Sequence, residues 1–404
     1  MRTRPVQPDS RASPSRPPLV CGFTPPRTIG RVPTTDQSVD DPIDAPIDAA
    51  VHRHVEDVVS TYLAERRAEL PELARTFAKA VDHLSDFALR GGKRLRPTFA
   101  WWGWRAAGGD ADGPEARAVL RAVSALELIQ TCALVHDDIM DASELRRGQP
   151  TVHVRFTEAH RAGGWLGEPE RFGTAAAILL GDLALAWADD LFESAPLTPE
   201  MRDAARGPWQ AMRAEMFAGQ YLDVLAQAEG DESEERALGV ARLKTAAYTV
   251  ERPLHMGIAF AGADQATVDA VRTFGTDIGV AFQLRDDVLG VYGAPEVTGK
   301  PAGDDLREGK RTLLVALGLA YAERDGRHSD AAMLRGALGD QNLPQVTIER
   351  VRDLLVEVGA VAELERRIDA LTTSAMTALT GAGLAEPGVT RLADLAVAAT
   401  RRDR

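Results

Sequence analysis

From residue 49 to residue 401 apolar side chains recur at the spacing of a helix face, and no stretch alternates as a strand does. Val55, Val58, Val59, Tyr62 and Leu63 mark one such face, and Leu120, Val123, Leu126, Ile129 and Leu134 another. Further helices are predicted near residues 174–194, 200–226, 236–262, 265–291, 311–323, 347–380 and 388–401. Breaks fall at Gly163-Gly164, at Glu229-Gly230-Asp231-Glu232 and between Gly293 and Gly309. Aromatic residues make up only 5% of the chain, which further disfavours strands. Helices with one apolar face must bury it against one another, so the predicted fold class is all-α, one helical bundle around a central cavity.

The first residues follow other rules. Ten of the 23 prolines lie in the first 50 positions, with little that could form a core. Residues 1–48 are expected to be a disordered tail and 49–404 a single all-α domain. Arg2, Arg4, Arg11 and Arg16 give the start a loose likeness to a transit peptide, but its prolines oppose the amphipathic helix such peptides form. A net charge of −13 argues against a nucleic-acid partner. Two cysteines, Cys21 and Cys132, exclude a disulfide framework and point to a reducing compartment. The apolar run Thr174–Trp187 is broken by Asp182 and too short for a bilayer, so no membrane span and a cytoplasmic location are expected.

Asp137-Asp138-Ile139-Met140-Asp141 follows the apolar run Cys132-Ala133-Leu134-Val135 near the end of a predicted helix. Asp137 and Asp141, four residues apart, share a helix face on which like charges repel. A hard divalent cation such as Mg2+ supplies a reason for that cost, because it takes a few carboxylates and leaves its other positions to phosphate oxygens. A solvated acidic helix end is the plainer reading of this motif alone. A second pair changes the balance: Phe282-Gln283-Leu284-Arg285-Asp286-Asp287 closes another apolar run. Two such clusters facing across a cavity would hold several Mg2+ ions and a diphosphate between them. Cations complete the pattern. Gly91-Gly92-Lys93-Arg94-Leu95-Arg96-Pro97 places three beside a glycine bend, and Arg146-Arg147-Gly148 follows the first aspartates. Lys244-Thr245 lies in a helical stretch, while Lys300 and Lys310 follow the second aspartates. Gly92 permits close backbone approach to an anion, and arginine offers a planar fork to phosphate oxygens. Each cation alone is ordinary solvation; together they describe two diphosphate sites, one bound through metal and one held directly.

In their order and spacing these five motifs resemble the trans-isoprenyl diphosphate synthase (polyprenyl synthetase) family, over about residues 50 to 400. The resemblance implies the class I isoprenoid synthase fold and a Mg2+-dependent prenyl transfer. In that reaction isopentenyl diphosphate condenses head-to-tail with an allylic diphosphate to give an all-trans polyprenyl diphosphate. It implies catalytic roles for Asp137, Asp138, Asp141, Lys244 and Asp286. Asp137 and Asp141 would hold Mg2+ on the allylic diphosphate, and Asp286 and Asp287 a further Mg2+, with Thr245 and Gln283 beside them. Arg146, Lys244, Lys300 and Lys310 would hold the allylic diphosphate itself. Lys93, Arg96, Arg147 and Gln130 would hold isopentenyl diphosphate. Members of the family are usually homodimers.

Two departures stand out. Many members carry His where Gln130 stands, and the second motif commonly ends in Asp where Gly290 stands. A glutamine still donates a hydrogen bond; the glycine removes a possible carboxylate. Members that stop at fifteen carbons carry bulky residues four and five positions before the first motif. Ala133 and Cys132 are small here, with Ile129 and Leu128 one turn earlier as the next floor. Geranylgeranyl diphosphate, twenty carbons, is therefore the expected product and a longer chain the alternative. The rival reading makes these residues ordinary core with the floor elsewhere.

Other residues have blander expectations. Trp101, Trp102 and Trp104 read as helix packing, and Cys132 as apolar wall rather than nucleophile. His136 reads equally as a carboxylate-orienting or a structural residue. Arg401, Arg402 and Arg404 read as a frayed terminus rather than a cover over the diphosphates. A class I terpene cyclase is disfavoured by Asp286-Asp287 and the basic motif at 91–97. A non-catalytic synthase subunit is disfavoured because both aspartate motifs are retained.

Overall fold

The computed structural model describes residues 45–293 and 303–401. Helices α1 (Val51–Ala68), α2 (Arg75–Leu89), α3 (Leu95–Ala106) and α4 (Gly113–Met140) come first. A short hairpin, β1 (Leu145–Arg146) and β2 (Gln149–Pro150), follows, with Leu145 opposite Pro150 and Arg146 opposite Gln149. Next are α5 (Val152–Gly163), α6 (Pro169–Glu193), α7 (Pro199–Glu229) and α8 (Glu234–Val240). A π-helical stretch (Ala241–Glu251) leads into α9 (Arg252–Phe260) and α10 (Gln265–Tyr292). The chain ends with α11 (Asp304–Glu308), α12 (Leu313–Arg324), α13 (His328–Ala337), α14 (Gln345–Glu357), α15 (Ala360–Gly381) and α16 (Gly388–Thr400).

The fold is all-α, as the apolar periodicity requires. Helix ends follow local chemistry: Thr198, Ser233, Asp264 and Thr312 accept a backbone N–H at the starts of α7, α8, α10 and α12. Gly164 and Gly230, in two of the three breaks read from the sequence, terminate α5 and α7 in the left-handed conformation. The hairpin at Leu145–Pro150 was not foreseen, because strands of two residues leave no alternating pattern.

One core cluster is built from α1 to α7, α9, α16, the end of α15 and part of α10, and a second from the rest of α10 with α8 and α11 to α15. Helix α4 runs through the first, packed chiefly on α6 and also on α1 and α3. By length and composition α4 could cross a membrane, yet 78% of its most apolar window is buried within the fold. The most apolar run is thus in α4 and not at 174–187. Before α1, Asp48 is already fastened: it accepts from Trp101 Nε1 at 2.8 Å and pairs with Arg105 at 3.0 Å. All three tryptophans of α3 are buried.

The π-helical stretch is gripped between α7 and α10 at backbone contact distance. A Cβ at Gly219 of α7 would collide with the Lys244 backbone, and one at Gly279 of α10 would lie 2.5 Å from Ala246 Cα. This grip fixes Lys244 and Thr245 where α4, α7 and α10 converge.

Candidate active site

The described residues enclose a cavity of about 950 Å³ at that convergence. Helix α4 lines it with Glu127, Gln130, Leu134 and Asp137, a single face of the helix. Opposite, α10 contributes Phe282, Gln283, Asp286, Asp287, Leu289 and Gly290. The two aspartate motifs therefore face one shared space, as the paired clusters predicted.

Cations tie the first motif together. Lys244 Nζ donates to Asp137 Oδ1 at 3.0 Å and to Asp223 Oδ2 at 2.7 Å. Arg146 Nε donates to Asp138 Oδ1 at 2.7 Å, and its Nη2 lies 3.5 Å from Asp137. Asp138 is fully buried and is not among the cavity-lining residues, so it orients Arg146 rather than meeting a ligand. Asp141 does not line the cavity either; Lys310, which does, meets its Oδ2 at 3.3 Å. Lys310 also lies 3.7 Å from Asp305 and 2.5 Å from Glu308, whose other oxygen accepts from Ser143 Oγ at 3.0 Å. Burial alone would raise the Asp137 pKa, but Lys244, Lys310 and Arg146 outweigh it and hold the carboxyl well below its usual range. Burial raises Asp141, with Asp137 adding to the effect. Burial would lower both lysines, but Asp305, Asp141 and Glu308 keep Lys310 charged, and Asp137 and Asp223 keep Lys244 charged.

The second motif carries a short relay. Thr245 Oγ1 donates to Gln283 Oε1 at 2.5 Å, and Gln283 Nε2 donates to Asp287 Oδ1 at 2.7 Å. Burial pushes Asp287 up to about 7, reinforced by Asp305 and Asp286 and opposed by the Gln283 hydrogen bond. A bound cation would reverse that penalty.

These carboxylates fit Mg2+. Oxygen donors from α4 and α10 line the two sides of the cavity, the hard ligands that Mg2+ takes. Among the described residues no three His, Cys, Asp or Glu side chains converge on one point.

The basic motif forms a separate wall. Lys93, Arg96 and Arg147 line the cavity. Arg96 stacks 4.0 Å above the Tyr248 ring and donates to Thr249 Oγ1 at 2.8 Å, while its Nε is buried without a hydrogen bond. Arg147 donates to the carbonyls of Arg90 (2.5 Å) and Gly91 (2.8 Å), bracing the loop that Gly91 and Gly92 allow at φ 65° and 111°. The Tyr248 hydroxyl donates to Gln130 Oε1 at 2.5 Å, which leaves the NH2 of Gln130 as its donor group. Arg94 is different: it is 5% exposed and bound to Glu127, Glu56 and two carbonyls, so it holds the loop rather than a ligand.

Several expectations need amendment. Lys300 lies outside the described residues, as do Arg402 and Arg404. Arg401 is not a frayed end: it lines the cavity, behind an α16 terminus fastened by Arg285 Nε to the Thr400 carbonyl at 2.9 Å. Leu128, Ile129 and Cys132 are fully buried, and neither they nor the half-buried Ala133 line the cavity. Cys132 Sγ contacts His136 Nδ1 at 3.7 Å, and burial pushes its thiol up to about 12, which suits packing and not nucleophilic attack. His136 turns to the Ile178 carbonyl at 3.2 Å on α6, so its role is structural. Asp223, Tyr248, Thr249, Asp305 and Glu308 escaped sequence reading. Each is one polar residue in an otherwise ordinary helix or loop, without a partner at recognisable spacing.

The family model of polyprenyl synthetases matches residues 76–349. The chain belongs to this family. A (2E,6E)-farnesyl diphosphate synthase of Mycobacterium tuberculosis is 34% identical over 310 residues, 76% of this chain and 78% of that one. A geranylfarnesyl diphosphate synthase of Aeropyrum pernix is 34% identical over 299 residues, 71% and 83% of the two chains. Among solved structures, geranylgeranyl pyrophosphate synthase of Corynebacterium glutamicum, complexed with isoprenyl diphosphate and magnesium, matches with a TM-score of 0.84 at 41% identity. That match covers 89% of this chain and all of the other. This polyprenyl synthetase is accordingly a trans-prenyltransferase with the all-α class I fold, from a Mg2+-dependent family that joins isopentenyl and allylic diphosphates.

Proposed function

We propose that this synthase builds geranylgeranyl diphosphate, with the allylic diphosphate held between the two aspartate motifs and isopentenyl diphosphate on the basic wall. The observation that carries the assignment of sites is the cavity itself, with aspartates of α4 and α10 across from each other and Lys244 and Lys310 between. Asp137 would hold Mg2+ on one side, joined by Asp141 once the diphosphate draws Lys310 away from it, and Asp286 and Asp287 on the other. When bound, Mg2+ neutralises the leaving diphosphate and makes its departure easier. Lys244, Lys310 and Arg146, with Lys300, meet the charge that develops on that diphosphate. Asp223 and Asp138 position Lys244 and Arg146 and do not touch substrate.

Lys93, Arg96, Arg147 and the Gln130 amide hold isopentenyl diphosphate so that its double bond faces the allylic carbon. The carbon–oxygen bond breaks with its electron pair going to diphosphate. The double bond attacks the resulting cation, and a proton is lost to the released diphosphate. Water must be kept out, or the cation ends as an alcohol.

The twenty-carbon length rests on the likeness to the geranylgeranyl pyrophosphate synthase of Corynebacterium glutamicum, since relatives of equal, lower identity are named for farnesyl and for geranylfarnesyl diphosphate. Incubation of the full chain with isopentenyl diphosphate, Mg2+ and each of the five-, ten- and fifteen-carbon allylic diphosphates tests both parts. A twenty-carbon product that chelation abolishes is expected. Turnover of an allylic diphosphate alone would instead make this a cyclase. Leu134, the apolar residue of α4 that lines the cavity, is the place to narrow it: Leu134→Phe should shorten the product, and an unchanged length would remove α4 from length control. The same reading makes the protein a homodimer through the α5–α6 face, where Trp165, Leu166, Ile178 and Leu179 are exposed. Light scattering that gives a monomer would refute that part.

A further inference from the structure

Glu308 stands behind the wall of the cavity. It is not among the lining residues, and its side chain is only 6% exposed. A carboxylate buried in this way is costly unless its oxygens are engaged. Each oxygen here meets a partner from a different part of the chain. Oε2 lies 2.5 Å from Lys310 Nζ, and Oε1 accepts from Ser143 Oγ at 3.0 Å. Ser143 follows Asp141 by two residues. Glu308 thus joins the end of the first aspartate motif to a lysine far along the sequence.

Both ends of this bridge are fixed. Ser143 is buried; its N–H donates to the Asp138 carbonyl at 2.9 Å, and its carbonyl accepts from Thr151 Oγ1 at 2.9 Å. On the other side, α11 is anchored by Leu306, which is fully buried in the second core cluster and accepts on its carbonyl from Gly339 N at 2.8 Å. Gly309, left-handed at φ 76°, turns the chain back so that the Lys310 N–H closes on the Asp305 carbonyl at 3.0 Å. A lysine ammonium on its four-carbon stem otherwise has many positions open to it. Asp141 and Asp305 also meet this one, at 3.3 and 3.7 Å, but the Glu308 pair is the shortest of the three. Unlike Asp305, Glu308 does not face the cavity, so it keeps its hold when diphosphate draws the ammonium away from Asp141.

We infer that Glu308 is a positioning residue. Anchored on Ser143, it holds the Lys310 ammonium at a set distance from the first aspartate motif, where it meets the leaving diphosphate as charge develops there. The inference rests on the reading that Lys310 holds the allylic diphosphate. It explains why a negative charge is buried behind a lysine whose task is to attract an anion: some attraction is given up, and a fixed position is gained.

The test is the single-turnover rate of the full chain with Mg2+, saturating isopentenyl diphosphate and the five-carbon allylic diphosphate. Lys310→Met comes first. An unchanged rate would show that Lys310 does not serve the diphosphate, and the reading and the inference would fall together. Where Lys310→Met is slow, Glu308→Gln should be slower than wild type by about tenfold or more, within the range that a displaced group costs. Glutamine keeps the volume and an acceptor for Ser143 but loses the charge that holds the ammonium. Ser143→Ala removes the anchor and keeps the ion pair; it should slow the reaction about threefold or more, the hold of one hydrogen bond. The decisive comparison is the same pair of substitutions made in Lys310→Met. There neither should slow the reaction further, because a positioning residue acts only through the group it positions. A clasp that merely held two loops together would slow both backgrounds alike. Thermal midpoints check that each variant folds; if Glu308→Gln does not, Ser143→Ala in the two backgrounds carries the test. A Glu308→Gln rate equal to or above that of wild type, or the same slowing with and without Lys310, would overturn the inference and leave the role of Lys310 standing.

Discussion

Lys244 shares one buried ammonium between Asp137 of α4 and Asp223 of α7, at 3.0 and 2.7 Å. A neutral side chain of similar length leaves two carboxylates facing each other and takes a cation from the leaving group. Lys244→Met should therefore slow the first condensation about 100-fold or more, the size typical of a lost electrostatic stabiliser. The KM for isopentenyl diphosphate, held by Lys93 and Arg96 on the other wall, should hardly move. Steady-state kinetics with a single allylic primer separates the two effects, and a raised KM with unchanged kcat would contradict the role. Lys244 was legible because Lys-Thr belongs to a recognisable motif; Asp223 was not, because one aspartate on a long polar helix looks like surface.

A second residue sets a pH limit far from the cavity. Arg252 Nη1 lies 3.2 Å from His255 Nδ1. Arginine can only donate, so Nδ1 must accept and the ring is neutral. Burial, with Arg252 and Arg272, lowers His255 from 6.5 to about 4. Between those values the unfolded chain binds a proton that the folded chain refuses, so stability falls as pH falls from 6.5 towards 4. The contribution is about 2–3 kcal/mol at the acid end. His255→Gln keeps an acceptor without the titration. The stability difference between variant and wild type should change sign or shrink across that window in urea unfolding, and parallel profiles would refute the assignment.

At the scale of elements, the region before α9 was read as one helix over 236–262, and the structure divides it. Residues 241–251 form a π-helical stretch, in which the wider turn lets Lys244, Thr245 and Thr249 all line the cavity. Apolar periodicity cannot reveal this, because the register is imposed by Gly219 and Gly279 on the neighbouring helices. The fate of the C-terminal helix was equally hidden. Arg285, inside the second motif, does not face substrate. It grips Glu365 of α15 with two bonds of 2.6 Å and the end of α16 through the Thr400 carbonyl. Arg285→Ala should cost about 1–3 kcal/mol, the value of charge-assisted bonds at a half-buried site. It should also release the chain at Arg401, seen as faster trypsin cleavage there and a raised KM for substrate. Unchanged cleavage would mean that α16 is held by its apolar face alone.

For the whole molecule, the bundle and the facing motifs were legible because both rest on patterns that repeat over many residues. The charge arrangement was not, because it joins distant single residues: Lys310 touches Asp141, Asp305 and Glu308, and Lys244 touches Asp137 and Asp223. That arrangement predicts how ligands enter. Mg2+ alone must separate Asp137 from Lys244 and Asp141 from Lys310, and leave each ammonium with fewer anions, Asp223 for the one and Glu308 and Asp305 for the other. Diphosphate alone must take up the lysines and leave the carboxylates unpaired, and either outcome strands buried charge. Together they exchange partners, lysines to diphosphate and carboxylates to Mg2+, and no charge is left over. Binding should then be strongly coupled, each ligand tightening the other by the same factor. In scanning fluorimetry, Mg2+ and inorganic diphosphate together should raise the thermal midpoint by more than the sum of their separate effects, since stabilisation follows occupancy. An excess of a few degrees corresponds to about 1–2 kcal/mol of coupling for a chain this large. Lys310→Met should reduce that excess and let Mg2+ stabilise the protein by itself, because the metal then no longer competes with the Lys310 ammonium for Asp141. Additive shifts in the wild type, or an unchanged excess in the variant, would show that the lysines do not compete with metal for these carboxylates.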